Sequence, residues 1–190
     1  MPPTKRRERE LAERERLIVT AARDLAETQG WDAVTTRRLA ELIEYSQPVL
    51  YSHFKGKDAI MAAVAVEGFA EVAGILRAAR TEAADASAAL AAVAHAYADF
   101  ADRRPATYDA MFTLAVGLPF ATPAAPPALR AAFGELREAV RPLIGDDDLD
   151  VRTEVFWASL HGLTTLMRGG RLRREGHAQR LALLLEGFGS

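Results

Sequence analysis

The sequence predicts an all-α fold. Ala and Leu make up much of a chain that is 49% hydrophobic and 7% aromatic, and these two residues lead the helix scale while β-branched strand formers are sparse. Apolar positions also recur at three- and four-residue spacing, the period of one helix face. The 190 residues suit one compact unit or a small module fused to a larger one, built from about nine helices.

The first helix runs from Glu8 to about Gln29, with Leu11, Leu17, Ile18, Ala21, Ala22, Leu25 and Ala26 on one side, and Gly30 ends it. Ahead of it, TKRRER sets Lys5, Arg6, Arg7 and Arg9 against Glu8 alone. A flexible basic arm of this kind reaches a phosphate backbone or minor groove; the alternative is a solvated terminus. Thr35 is placed to cap a short second helix with Leu39, Leu42 and Ile43 on one face. Ser46 caps the third, Pro48 sits in its first turn where a missing N–H costs nothing, and the helix ends near His53.

Two helices with a four-residue joint form a helix-turn-helix, in which the second protrudes as a rod. Val49 and Leu50 hold this rod on its scaffold, and Phe54 closes the gap behind it. Gln47, Tyr51, Ser52 and His53 are left on or near the exposed side. Having barely two turns, the rod depends on the preceding helices for stability.

Gly56 breaks the chain, and a long helix follows from Lys57 to about Arg80. The next is capped near Asp85 or Ser87 and stopped by Pro105. After ATYDAMFTLAVGLPF, the stretch ATPAAPPA is a loop, because clustered prolines remove donors and bias their neighbours away from helix. ALRAAFGELREAVRPL resumes helix. DDDLD then supplies carboxylates to the N-terminus of VRTEVFWASLHGLTTLMRGG, which GG ends, and REGHAQRLALLLEGF closes the chain.

Composition excludes several chemistries. There is no Cys, so disulfides, thiolate metal sites and cysteine nucleophiles are out. His53, His95, His161 and His177 lie on four different elements, and no Gly-rich phosphate loop occurs, so neither an enzyme, a metal site nor a cofactor is expected. The charged N-terminus is unlike a signal peptide, and no apolar run reaches the roughly 20 residues of a spanning helix. A cytoplasmic protein without membrane contact is expected. Net charge is −2 overall, divided as +2 over 1–57 (11 Lys and Arg, 9 Asp and Glu) and −4 over the rest (13 and 17).

Residues 35–60, TTRRLAELIEYSQPVLYSHFKGKDAI, resemble the DNA-binding signature of the TetR family of bacterial transcriptional regulators. Its features are the capping Thr, the Leu-Ala helix, Ser and two variable residues, Leu-Tyr, His-Phe, a break, and Lys with an acidic neighbour. The preceding GWDAVT is similar to the family's linker. One departure is Glu44, at a turn where the family usually has Gly and its easy positive φ.

The resemblance implies a helix-turn-helix domain over 1–56, with its basic arm, and a helical effector-binding and dimerisation domain over 57–190. It implies that Thr35, Tyr51, His53 and Lys57 contact phosphate, with Arg37 and Arg38 as further backbone contacts. Gln47, Pro48 and Val49 approach base edges, where Gln pairs with adenine and Val or Pro touches a thymine methyl. Taken alone, Tyr51 reads as a half-buried packing residue and His53 as a helix cap.

RRPATYDAMF and FWASLHGLTTLMRGG resemble a C-terminal subtype named for a Trp-His-Gly triplet, here Trp157, His161 and Gly162. Bulky side chains among many alanines leave room for a cavity, with Leu76, His95, Tyr97, Phe100, Tyr108, Met111, Phe112, Trp157 and His161 as effector-pocket candidates. A filled core would use the same aromatics. The last two helices are apolar on wide faces, Val151, Val155, Leu160, Leu163 and Met167, then Leu181, Leu184, Leu185 and Phe188. In the family such a pair makes a two-fold interface.

The implied function is a homodimeric repressor that binds a near-palindromic duplex operator and is released by a small, largely apolar effector. The alternative is a helical ligand-binding protein whose DNA recognition is weakened or lost.

Overall fold

The computed structural model describes residues 5–114 and 117–188. Among these it is all-α: α1 (Lys5–Gln29), α2 (Thr36–Leu42), α3 (Gln47–His53), α4 (Lys57–Thr81), α5 (Ala86–Arg103), α6 (Pro105–Phe112), α7 (Pro127–Ile144), α8 (Leu149–Arg168) and α9 (His177–Glu186). Short 3₁₀ turns lie at Trp31–Ala33 and Arg174–Gly176. Thr4 of the basic arm, and Ala115 and Val116 beyond α6, lie outside the described residues.

The arm departs from expectation. From Lys5 onward its residues are the first turns of α1 rather than a flexible lead. Oppositely charged residues four apart, such as Arg6 and Glu10 with 3.4 Å between Nε and Oε1, favour helix there.

The chain packs as two compact units, Met1–Gly68 with Arg104–Pro119, and Phe69–Arg103 with Phe120–Ser190. The boundary expected at Gly56 therefore falls inside the first unit, which takes in the first turns of α4 and all of α6. Glu27 explains why α6 belongs there. Its carboxylate accepts the backbone N–H groups of Ala106 (3.1 Å) and Thr107 (3.0 Å) and the Thr107 hydroxyl (2.7 Å). Arg104, at the N-cap of α6, makes no side-chain cap bond, so a residue of α1 satisfies the orphan donors instead. Trp31 Nε1 donates to the Ala106 carbonyl at 2.8 Å. On the other side a Cβ at Gly68 would stand 2.6 Å from Thr107 Cγ2 and 2.7 Å from Met111 Sδ, so α4 and α6 meet as closely as glycine allows. Ile18, Ala22, Leu39, Leu50, Ile60 and Val64 form the core of this unit. Leu42, expected beside Leu39, points to solvent.

In the second unit Leu90, Val93, Leu136, Val140, Phe156 and Leu160 are buried. Asp85 caps α5, its Oδ1 accepting from Ala88 N at 2.8 Å. Buried Glu135 of α7 is held by Arg77 Nε at 2.7 Å and Arg80 Nη2 at 2.8 Å, both from α4. Burial pushes the Glu135 carboxyl up, but hydrogen bonds and charge from Arg80 and Arg77 outweigh it and hold its pKa below the usual carboxylate value.

By length and composition α4 is apolar enough to cross a membrane, contrary to the expectation that no segment would be. Half of its most apolar stretch is buried inside the protein, as in a core helix.

Candidate nucleic-acid interface

Helix α3 and the joint before it are built by local rules. Thr35 stands in extended conformation at the N-cap of α2, and its hydroxyl oxygen accepts from Arg38 N at 3.2 Å, leaving its O–H to donate elsewhere. The turn between the helices passes through Glu44 at φ 57°. It is closed by Tyr45 N donating to Ala40 O at 2.9 Å, a bond spanning the α2 C-terminus as in a Schellman cap. Glu44 thus adopts the left-handed conformation that glycine would take, at a cost of about 1 kcal/mol, and the turn keeps its shape. Ser46 occupies the N-cap of α3 but makes no side-chain cap bond.

Leu50 anchors the helix with 1% exposure, and half-buried Phe54 packs behind it. Gln47, Pro48, Tyr51 and Ser52 are exposed; at positions i, i+1, i+4 and i+5 they share one side of the helix. Val49 is half-buried at its edge. Tyr51 is 53% exposed and its Oη lies 3.3 Å from Thr36 Oγ1, either group being able to donate. Both hydroxyls face solvent, a pair of donors suited to a phosphate oxygen. Sequence reasoning missed Thr36; the doubled Thr at the start of α2 was the available signal.

His53 is turned the other way. Its side chain is 3% exposed and Nδ1 lies 3.5 Å from Glu15 Oε1 on α1. Three residues after Leu50, it falls on the anchoring side of α3, which removes the expected outward phosphate contact. Arg37 pairs with Glu41 at 3.0 Å, both side chains largely exposed, a contact of about 0.3–0.5 kcal/mol that an anion can replace. Arg38 is drawn back to α1, its Nη2 donating to Gln29 Oε1 at 2.6 Å. Half-buried Lys57 donates from Nζ to the Trp31 carbonyl, and its ammonium keeps two further donors.

The effector-pocket candidates divide between the units. Tyr108 and Met111 are buried in the first and Phe112 is half-buried there, with the Tyr108 and Phe112 rings 4.8 Å apart. Leu76, Tyr97 and Phe100 are buried in the second, whereas His95 is exposed and anchors nothing inward. Three candidates do converge. Trp157 Nε1 donates to Tyr97 Oη at 3.2 Å, and His161 Nδ1 lies 3.3 Å from the same hydroxyl. The Trp157 and His161 rings are 6.2 Å apart and tilted by 46°, and burial pushes the imidazole pKa down, favouring the neutral ring.

Of the residues expected at a two-fold interface, Val151 and Val155 are exposed, and Leu163, Leu184 and Leu185 are half-buried. Leu160, Met167, Leu181 and Phe188 are buried in the second unit's own core. Phe188, for example, meets Phe156 edge-on at 5.3 Å. The apolar breadth of α8 and α9 is therefore divided between an inward side that the second unit's core buries and an outward side left exposed.

The profile of the tetR family of bacterial regulatory proteins matches residues 18–64. A profile of tetracyclin repressor-like C-terminal domains matches residues 90–186, half of the chain. The HTH-type transcriptional regulator YobS of Bacillus subtilis is 35% identical over 96 residues, which are 50% of this chain and only 50% of YobS. Among solved structures, a protein of unknown function from Rhodococcus sp. RHA1 superposes with a TM-score of 0.76 at 26% identity, over 92% of this chain and 93% of that one. BioQ, crystallised with its double-stranded DNA operator, superposes with a TM-score of 0.66 at 24% identity, over 92% and 97%; at that identity the likeness is one of fold.

Proposed function

The chain belongs to the TetR family of bacterial regulatory proteins, whose members are transcriptional regulators rather than enzymes, and on that premise we propose that it represses transcription by binding a near-palindromic DNA operator as a homodimer. The observation that carries this reading is the outer side of α3. Gln47, Pro48, Tyr51 and Ser52 stand exposed on a rod held by buried Leu50, with Thr36 beside Tyr51. Gln47, Pro48 and Val49 read base edges; Thr35, Thr36, Arg37 and Tyr51 hold phosphates, and Lys57 adds charge. Arg38 and His53 support these groups from behind. In a two-fold dimer the two α3 helices enter successive major grooves, roughly 34–36 Å apart.

A small, largely apolar effector is the proposed signal, binding in the second unit near Tyr97, Trp157, His161 and Leu76. The Trp157, His161 and Gly162 pattern of the Trp-His-Gly subtype is part of this reading, as is a cytoplasmic location. Because α4 is one continuous helix from Lys57 to Thr81, an effector that prefers a tilted α4 would shift the reading helices out of register. A bound complex in which Leu76 makes no ligand contact would remove α4 from this scheme.

Lost DNA recognition was the competing reading, and the turn weighs against it: Glu44 takes the positive φ that the joint needs. Titration of the full chain with labelled duplex across a salt series tests the proposal. Affinity that falls steeply with salt, and is weakened about tenfold or more by Tyr51→Ala, supports it; binding indifferent to salt and to Tyr51 would refute it.

A further inference from the structure

Helix α8 keeps an unpartnered apolar side. Val151 (59% exposed), Val155 (54%) and Leu166 (42%) are joined on it by Ala158 and Gly162, and Leu183 (61%) of α9 is also exposed. The spacing of 151, 155, 158, 162 and 166 is that of a single helix face. A Cβ at Gly162 would meet nothing within 4 Å, so the middle of this face has room for a neighbour.

The two ends of the face carry opposite charge. Asp146, Asp147, Asp148 and Asp150 stand at its beginning, with Arg152 the one base and Glu154 a further acid in the turn that follows, and Arg168, Arg171, Arg173 and Arg174 at its end, with Glu175 the one acid among them. Part of each cluster is used within the chain: Arg141 holds Asp146 at 3.1 Å, Arg137 pairs with Asp150, and Arg174 reaches Asp102 at 3.3 Å. Asp147 and Asp148 at one end, and Arg171 and Arg173 at the other, are exposed and form no ion pair among the described residues.

We propose that these ends form two ionic latches between copies of this chain, Asp147 and Asp148 of one facing Arg171 and Arg173 of the other, so that charge sets the direction and register in which two α8 helices pair. The inference rests on the homodimer proposed above and goes beyond it by naming what selects the pairing. A two-fold contact presents the same patch on both sides. If the helices lie antiparallel, acids meet arginines at both ends while the valines, Ala158 and Gly162 meet in the middle. If they lie parallel, acids meet acids and arginines meet arginines, which opposes association. The 20 residues of α8 span about 30 Å. Crossing at about 20°, such helices keep their ends roughly 10 Å apart, within reach of an arginine; crossing at about 50°, the ends part to roughly 15 Å. The latch therefore also requires the shallow crossing.

The test is a charge swap in the full chain, read by sedimentation equilibrium and by exchange between differently tagged subunits, with circular dichroism to check folding. Arg171→Glu with Arg173→Glu in one variant, and Asp147→Lys with Asp148→Lys in the other, should each weaken self-association by about tenfold or more at low salt. Mixed together, the two variants should form heterodimers in preference to either homodimer. A dimer indifferent to both swaps, or a mixture with no preference for the heterodimer, overturns the latch and leaves the dimer standing. A wild-type chain that stays monomeric at tens of micromolar overturns both.

Discussion

Two clusters, each built on a tyrosine hydroxyl, sit in different surroundings and invite different uses. In the first unit Tyr51 and Thr36 share a 3.3 Å contact in the open. In the second unit Tyr97 is 3% exposed, and its hydroxyl is taken by Trp157 and His161. The first pair is in water, where exchanging one partner for another costs little, so it is available to a phosphate. In the second group the Tyr97 hydroxyl is buried and Trp157 and His161 are half-buried, so losing a partner there is less readily made good by solvent. Residue type alone does not distinguish them; burial does.

The largest effect should come from breaking the anchor beneath the exposed pair. Leu50→Ala removes a side chain with 1% exposure and should destabilise the protein by about 3 kcal/mol, seen as a fall in denaturant midpoint together with lost DNA binding. A midpoint within error of wild type would mean that α3 is not held as described.

The same substitution at the two tyrosines should act differently. Tyr97→Phe leaves the Trp157 N–H and the His161 nitrogen without their shared partner and should cost about 2 kcal/mol in thermal or denaturant unfolding. Tyr51→Phe should change stability by less than about 0.5 kcal/mol while lowering duplex affinity about five- to tenfold. Equal stability losses would erase the distinction.

Between these extremes lies Glu135. Its folded pKa is lowered, so its stabilising contribution is present above the ordinary carboxylate value and is lost as pH falls through the folded one. Glu135→Gln should cost about 1–2 kcal/mol at neutral pH, discounted for the exposure of Arg77, and should flatten the decline in stability between about pH 5 and 3. An unchanged acid slope would dismiss the ion triad. The smallest effect expected is a gain: Glu44→Gly relieves the positive φ at the turn and should add about 0.5 kcal/mol, net of glycine's greater freedom when unfolded.

The same contrast explains what could be read from the sequence. Periodicity and caps located the helices because both are local: Thr35, Gly30 and Pro48 act within a few residues of themselves. The joint and the exposed side of α3 followed for the same reason. Partners distant in sequence did not. Nothing local to Glu27 announces that it caps α6 about eighty residues away, and without that bond α6 reads as part of the second unit. His53 was misplaced because its motif position was clear while its rotation about α3 was not. The breadth of α8 and α9 was legible, but burial was needed to separate the inward Leu160 and Met167 from the outward Val151 and Val155.

Whether the outer side of α3 reads a DNA sequence is decided by selecting bound duplexes from a random library, with wild type, Gln47→Ala, Tyr51→Ala and His53→Gln run in parallel. The expected result is a near-palindrome with half-sites about one helical turn apart, a changed base preference for Gln47→Ala, weakened recovery for Tyr51→Ala, and the wild-type motif for His53→Gln. No enrichment at low salt, or a motif untouched by Gln47→Ala and Tyr51→Ala alike, would contradict it.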